Sequence, residues 1–217
     1  MQTNNDVEVK ETAYQKRKKL INNIVIYALF IALLALFTFV PYLGTYQIGI
    51  ISFTSLHIIV IIAACLFGWK KGLVLGTVMG LFTLFKALTF PGTADFFFVN
   101  PFISVIPRAL FGFLSGLFFD LTRKFEERKF YYPLIIGISS LSALLHTTIV
   151  VLFWYIFGIL DIFGISAAIG IDLSVFEQFK NFLLFVSTFL VWGSLIEIVA
   201  AGAIVPVVYL AKKKSKK

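Results

Sequence analysis

Apolar runs close to 20 residues long recur along the whole of this chain. About 20 mostly apolar residues suffice for a helix to cross a bilayer. Six such runs lie at about 20–40, 53–68, 72–90, 100–121, 133–159 and 181–211. They are long and uninterrupted, whereas strands of a membrane barrel alternate polar and apolar residues. Strands are therefore not expected. Of the 217 residues, 59% are apolar, 14% are charged and 26 are Phe. One soluble core cannot bury that much apolar surface, so a water-soluble enzyme and a disordered chain are both excluded. The expected fold is an all-α, polytopic integral membrane protein, a six-transmembrane-helix bundle. Its expected parts are a basic cytoplasmic segment at 1–19, a membrane domain at 20–211 and a basic tail at 212–217. The second run is short and carries His57, which makes it the weakest of the six.

Charge supplies the orientation. The N-terminal segment has Lys10, Lys16, Arg17, Lys18 and Lys19, and the second loop has Lys70 and Lys71. The fourth loop has Arg123, Lys124, Arg128 and Lys129, and the tail has Lys212, Lys213, Lys214, Lys216 and Lys217. With six spans, 16 of the 19 basic residues fall on one side, leaving Lys86, Arg108 and Lys180. Basic loops stay in the cytoplasm, so both termini are expected there, in a multi-pass protein of a prokaryotic plasma membrane. The net charge of +8 comes from these flanks. It therefore reads as topology and contact with anionic lipid rather than nucleic-acid binding. Lys16 to Lys19 before an apolar run resemble a signal peptide. The run ends in Phe39-Val40-Pro41-Tyr42, which lacks a small-residue cleavage site, so a retained first helix is expected.

The outer loops then fall at about 41–52, 91–99 and 160–180. The first two hold the turn formers Pro41, Gly44, Gly49, Pro91 and Gly92, together with Tyr42, Tyr46, Phe96, Phe97 and Phe98. Loops this aromatic suit a fold back over a pocket. The last loop, with Asp161, Asp172 and Glu177, suits a short interfacial helix. Gly68, Gly72, Gly76 and Gly80 recur every fourth residue, and Gly112 and Gly116 repeat the spacing. Such faces let helix backbones approach closely. Ala28 and Ala32 also lie one turn apart, for packing inside the chain or docking to another subunit.

Ionisable residues inside a span are functional candidates by default. Arg108 lies about 12 Å along its helix from Asn100, at 1.5 Å per residue. It needs an anion, which is either an internal acid, Glu197 or Asp95, or a ligand carboxylate or phosphate gripped by two parallel hydrogen bonds. Pro101 and Pro107 free backbone carbonyls in the same helix, which is tolerable where the backbone lines a cavity. Lys86 is near the outer end of its span, snorkelling outward or facing a ligand. His146 is suited to hydrogen-bond a polar ligand or a neighbouring helix. His57 reads as structural, and Glu197 needs a proton or a cation partner. Asn100 and Gln47 are amides placed to orient a ligand.

Some chemistry is missing from the sequence. There is no G-x-x-x-x-G-K-[ST] phosphate loop and no G-x-S-x-G elbow. No nearby His, Cys or carboxylates have metal-ligand spacing. Lone Cys65 reads as a small packing residue. No catalytic residue, metal or cofactor is expected, and the chain is not expected to be an enzyme.

Four stretches carry a family resemblance. They are Ala28-x-x-x-Ala32; Ile48-Gly49-Ile50-Ile51-Ser52-Phe53-Thr54 leading to His57-Ile58-Ile59-Val60; Leu66-Phe67-Gly68-Trp69-Lys70-Lys71-Gly72 leading to Gly76 and Gly80; and Phe98-Val99-Asn100-Pro101 with Ser104 and Pro107-Arg108. Across about 25–120 the chain resembles the substrate-binding S component of an energy-coupling factor (ECF) vitamin transporter. It departs at Trp69, where many relatives have Pro. The resemblance implies a six-helix bundle that captures a vitamin from outside, beneath the loops after spans one and three. It implies docking through Ala28 and Ala32 onto a transmembrane scaffold subunit, release driven by two separate ATPase subunits, and toppling within the membrane.

Within the family the chain looks most like the pantothenate-type members. Pantothenate offers a carboxylate to Arg108, and hydroxyl and amide groups to Asn100, His146 and Gln47, with Lys86 as a further candidate. Riboflavin, pyridoxine and hydroxymethylpyrimidine are the alternatives within the family. Outside it, the alternative is a self-contained secondary transporter with Arg108, His146 and Glu197 as a relay.

Overall fold

A computed structural model describes the backbone of residues 2–40, 43–48, 51–89, 98–128, 130–153, 156 and 174–215. Within these, the side chains of 2–12, 45–48, 51–53 and 174–193 are outside the description. Helix α1 spans Gln2–Phe39 and is followed by a hairpin of β1 (Thr45–Ile48) and β2 (Ile51–Thr54). Then come α2 (Leu56–Phe67), α3 (Trp69–Thr89), α4 (Pro101–Ser104), α5 (Ile106–Thr122), α6 (Tyr131–Phe153) and α7 (Ser174–Lys214). Five of the helices contain segments long and apolar enough to cross a membrane. Among the described residues the regular structure is therefore helical apart from one small hairpin.

That hairpin corrects the expectation of no strands. Thr45 pairs with Thr54 and Ile48 with Ile51, antiparallel, inside the segment assigned to an outer loop and the start of span two. Within the hydrocarbon every backbone polar group must be satisfied internally. A paired hairpin does this for a segment that has no helix. Ser55 N–H donates to Gly44 O at 2.9 Å and closes its base.

The weakest sequence span is the most enclosed helix. α2 has 12 residues, about 18 Å of helix, against a hydrocarbon core of about 30 Å. Leu56 to Ile61 and Ala63 to Cys65 are buried on every side. A helix apolar all round belongs in a core, and α2 is surrounded by α1, α3, α5, α6 and α7. One residue, Gly68, joins α2 to α3. Its φ of 86° and ψ of −172° lie where only glycine sits comfortably. A Cβ there would lie 2.6 Å from the Asp120 carboxylate, which accepts from Trp69 N–H at 2.9 Å.

The glycine stripes pack within the chain. A Cβ on Gly72 would meet Gly112 O at 2.3 Å, one on Gly76 would meet Arg108 O at 2.3 Å, and one on Gly80 would meet Val105 Cα at 2.7 Å. Residue numbers rise along α3 as they fall along α5, so the two helices cross antiparallel with backbones touching. The small-residue face is thus spent on fixing α5, the helix that carries Arg108.

Ala28 and Ala32 behave differently. Both are exposed, on a face of α1 shared with Val25, Leu29 and Leu36. The opposite face carries the buried Phe30, Leu34 and Thr38 and packs inward, Phe30 edge-on to Phe67 with ring centroids 6.0 Å apart.

The basic loops converge at one end. Lys71 Nζ donates to Asn23 Oδ1 at 2.9 Å and lies 4.3 Å from the Phe67 ring centroid. Lys212 Nζ lies 4.1 Å from the same ring and donates to Leu66 O at 2.8 Å. Arg123 Nη2 reaches Cys65 O at 3.5 Å. Lys212 and Arg123, from two distant segments, thus cap the C-terminal carbonyls of α2, where the helix dipole favours positive charge.

Candidate functional site

The site begins with a proline. Pro107 has no N–H, so Ile103 O loses its donor one turn back. The helix breaks at Val105, between α4 and α5. Arg108 fills the gap with Nη1, which donates to Ile103 O at 2.7 Å and to Ser104 O at 3.0 Å. The guanidinium carbon lies 4.6 Å from the Phe98 ring centroid, on the segment entering α4. Arg108 is buried at 4% exposure, on the side of α5 away from lipid.

Asn100 is also buried and does structural work. Its Oδ1 accepts from Phe102 N–H at 2.9 Å and caps α4, with Pro101 in the first turn. A helix of about one turn thus precedes the break, started by these two residues. The amide NH2 of Asn100 remains the part that can turn to a ligand.

His146, on α6, is buried against α5. Its ring centroid is 4.9 Å from that of Phe111, edge-on, and Phe111 lies one turn beyond Arg108. The His57 ring of α2 lies nearly parallel to it at 5.1 Å. Glu197 of α7 completes the group: its Oε2 is 3.9 Å from His57 Nδ1 and its Oε1 accepts from Thr54 N–H at 3.1 Å. Ser104, one turn from Arg108, Ser142, one turn from His146, and Ser115, one turn from Phe111, add buried hydroxyls on these helices. A seam of polar groups therefore runs through an otherwise apolar bundle, which is expensive unless it is used.

The sequence-predicted residues separate as follows. The fold gathers Asn100 and Arg108 on α4 and α5, and His146 beside Phe111. Glu197, one of the two internal acids offered as an alternative to a ligand for Arg108, meets other groups. It is taken by Thr54 and His57, because the hairpin delivers a backbone N–H to α7. Asp95 lies outside the described residues, as do Phe96 and Phe97 and most of the loop at 160–180. Lys86 is half-buried in the last turn of α3. It stands about 9 Å beyond Gly80 along the helix. Gln47 is in β1 opposite Ser52, and its side chain lies outside the described residues. The lack of metal-ligand spacing along the sequence does not carry over to three dimensions. His57, His146 and Glu197 bring one ligand atom each within 4.8 Å of one another. They come from α2, α6 and α7, so no local spacing could signal them. The one hint was Glu197, an acid in a span that needed a partner.

The chain is 33% identical over 134 residues to a pantothenate transporter, PanT, of Leuconostoc mesenteroides subsp. mesenteroides. The match covers 59% of this chain and 66% of that relative, just under two thirds of its length. A family model described as the substrate-specific component of ECF transporters matches residues 22–209, and the chain belongs to that family.

Proposed function

We propose that this chain is the substrate-capture subunit for pantothenate, working with an ECF transmembrane scaffold and two ATPase subunits. The observation that carries the reading is the buried Arg108 guanidinium, seated on a proline-broken helix beside Phe98. A vitamin with one carboxylate suits one guanidinium in an apolar bundle, and PanT supports the same solute. In this reading Arg108 holds the carboxylate. Asn100 and His146 meet hydroxyl and amide groups, and Lys86 and Gln47 close the outer rim. Both termini are cytoplasmic, and α2 with the hairpin is the sixth crossing segment. The gathering of basic residues at the Phe67 end supports that orientation.

Calorimetric titration of the purified chain with pantothenate tests the solute. Wild type is expected to bind saturably, and Arg108→Ala to bind more than tenfold more weakly, since losing one partner of a desolvated charge pair costs about 2–5 kcal/mol. Equal binding by both proteins, or no binding by wild type, rejects the reading.

A further inference from the structure

The seam holds a second feature: His146, given above to the vitamin, sits with His57 and Glu197, which vitamin capture leaves unused. His57 is fully buried and His146 is 4% exposed. Neither ring nitrogen of His146 has a hydrogen-bond partner among the described residues, and those of His57 make no hydrogen bond of good geometry, with the Thr54 backbone beside the ring. A buried imidazole needs a partner for at least its N–H, and its other nitrogen is a free lone pair. Two such rings face each other, with a carboxylate beside them.

We propose that His57, His146 and Glu197 form a binding site for a divalent transition-metal ion of the zinc type. The donor set is two imidazole nitrogens and one carboxylate oxygen, which suits zinc, cobalt, nickel or copper and not magnesium or calcium. One ligand atom from each residue already lies within 4.8 Å of the others. Bonds of about 2.0–2.2 Å in a tetrahedron put donors about 3.3 Å apart. Side-chain rotation therefore has at most about 1.5 Å to close. The two rings are nearly parallel with centroids 5.1 Å apart, so at least one turns about its side-chain torsions to bring both in-plane lone pairs onto one ion.

The carboxylate is also oriented from behind. Thr54 N–H holds Glu197 Oε1, which leaves Oε2 facing His57. Outer hydrogen bonds of this kind are what align the ligands of a metal. Two neutral imidazoles and one carboxylate leave a divalent ion with one net positive charge and one open coordination position. Water, or an oxygen of a bound solute, takes that position.

The full chain, purified without a histidine tag, stripped with chelator and placed in lipid nanodiscs without vitamin, is titrated with Co2+. One ion per chain is expected, with the intense visible bands of four-coordinate cobalt and displacement by Zn2+. His146→Gln and Glu197→Gln are each expected to weaken uptake at least tenfold. Absence of saturable uptake, which would leave the imidazoles to water, overturns the proposal. So does uptake unchanged in both variants. Should the variants not fold, X-ray absorption of zinc-loaded wild type decides. Imidazole scattering around the metal is expected, and a shell without imidazole overturns the site. No vitamin enters these measurements, so their outcome is independent of the pantothenate reading.

Discussion

Pro107 removes one N–H, and Arg108 replaces it from its own side chain. One guanidinium thus repairs the helix break and presents a cation within the bundle. Arg108→Lys keeps the charge and loses the planar fork, so it is not a conservative change here. It is expected to weaken pantothenate binding severalfold or more, measured by calorimetry beside Arg108→Ala. Gly68 is a second residue with a single solution. Its backbone falls in a region that costs other residues about 1–3 kcal/mol, and a Cβ would press on Asp120. Gly68→Ala is expected to lower stability by at least that amount, read as an earlier thermal unfolding transition in detergent. Both positions were legible in part from sequence. An arginine inside an apolar run and a glycine before a basic turn are visible without coordinates. The partners of each were not, because Ile103 O and the Asp120 carboxylate are chosen by the helix break and by the approach of α5.

At the scale of elements, the α3–α5 crossing sets the position of Arg108. Gly76 meets the Arg108 carbonyl itself, so any side chain there forces the helices apart. Gly76→Val is expected to destabilise the bundle by several kcal/mol, since neither backbone can yield, and to weaken vitamin binding with it. Gly137 on α6 is the contrast, because a Cβ there meets nothing within 4 Å. Gly137→Ala is expected to leave binding unchanged and to raise stability by about 0.5–1 kcal/mol through helix propensity alone. A thermal-unfolding comparison of the two variants separates crowding from intrinsic helix preference. The four-residue period announced the crossing, and the partner helix repeated it. The β-hairpin went unseen because most of its residues read as an outer loop leading into span two. Periodicity over so short a stretch does not separate strand from helix.

The whole molecule is a multi-pass plasma-membrane protein, and its family is one of transporters rather than enzymes. Ala28 and Ala32 lie on an open apolar face of α1, remote in the fold from the buried Arg108. If that face docks the scaffold subunit, capture and transport are separable. Ala28→Trp and Ala32→Trp are expected to leave pantothenate affinity unchanged and to abolish uptake in reconstituted vesicles with the complete transporter. Uptake that survives both substitutions places the docking surface elsewhere.

The sequence by itself determined the solvent, the number of apolar segments, the end at which basic residues gather and the presence of one arginine in a span. These follow from hydropathy and charge, which act residue by residue and need no partner. Tertiary structure alone decided which polar groups meet. It sent Glu197 to Thr54 and His57, stacked His57 on His146, and made the shortest apolar segment the centre of the bundle. Contacts between helices far apart in the chain depend on crossing geometry and rotation about each axis, which no local pattern encodes.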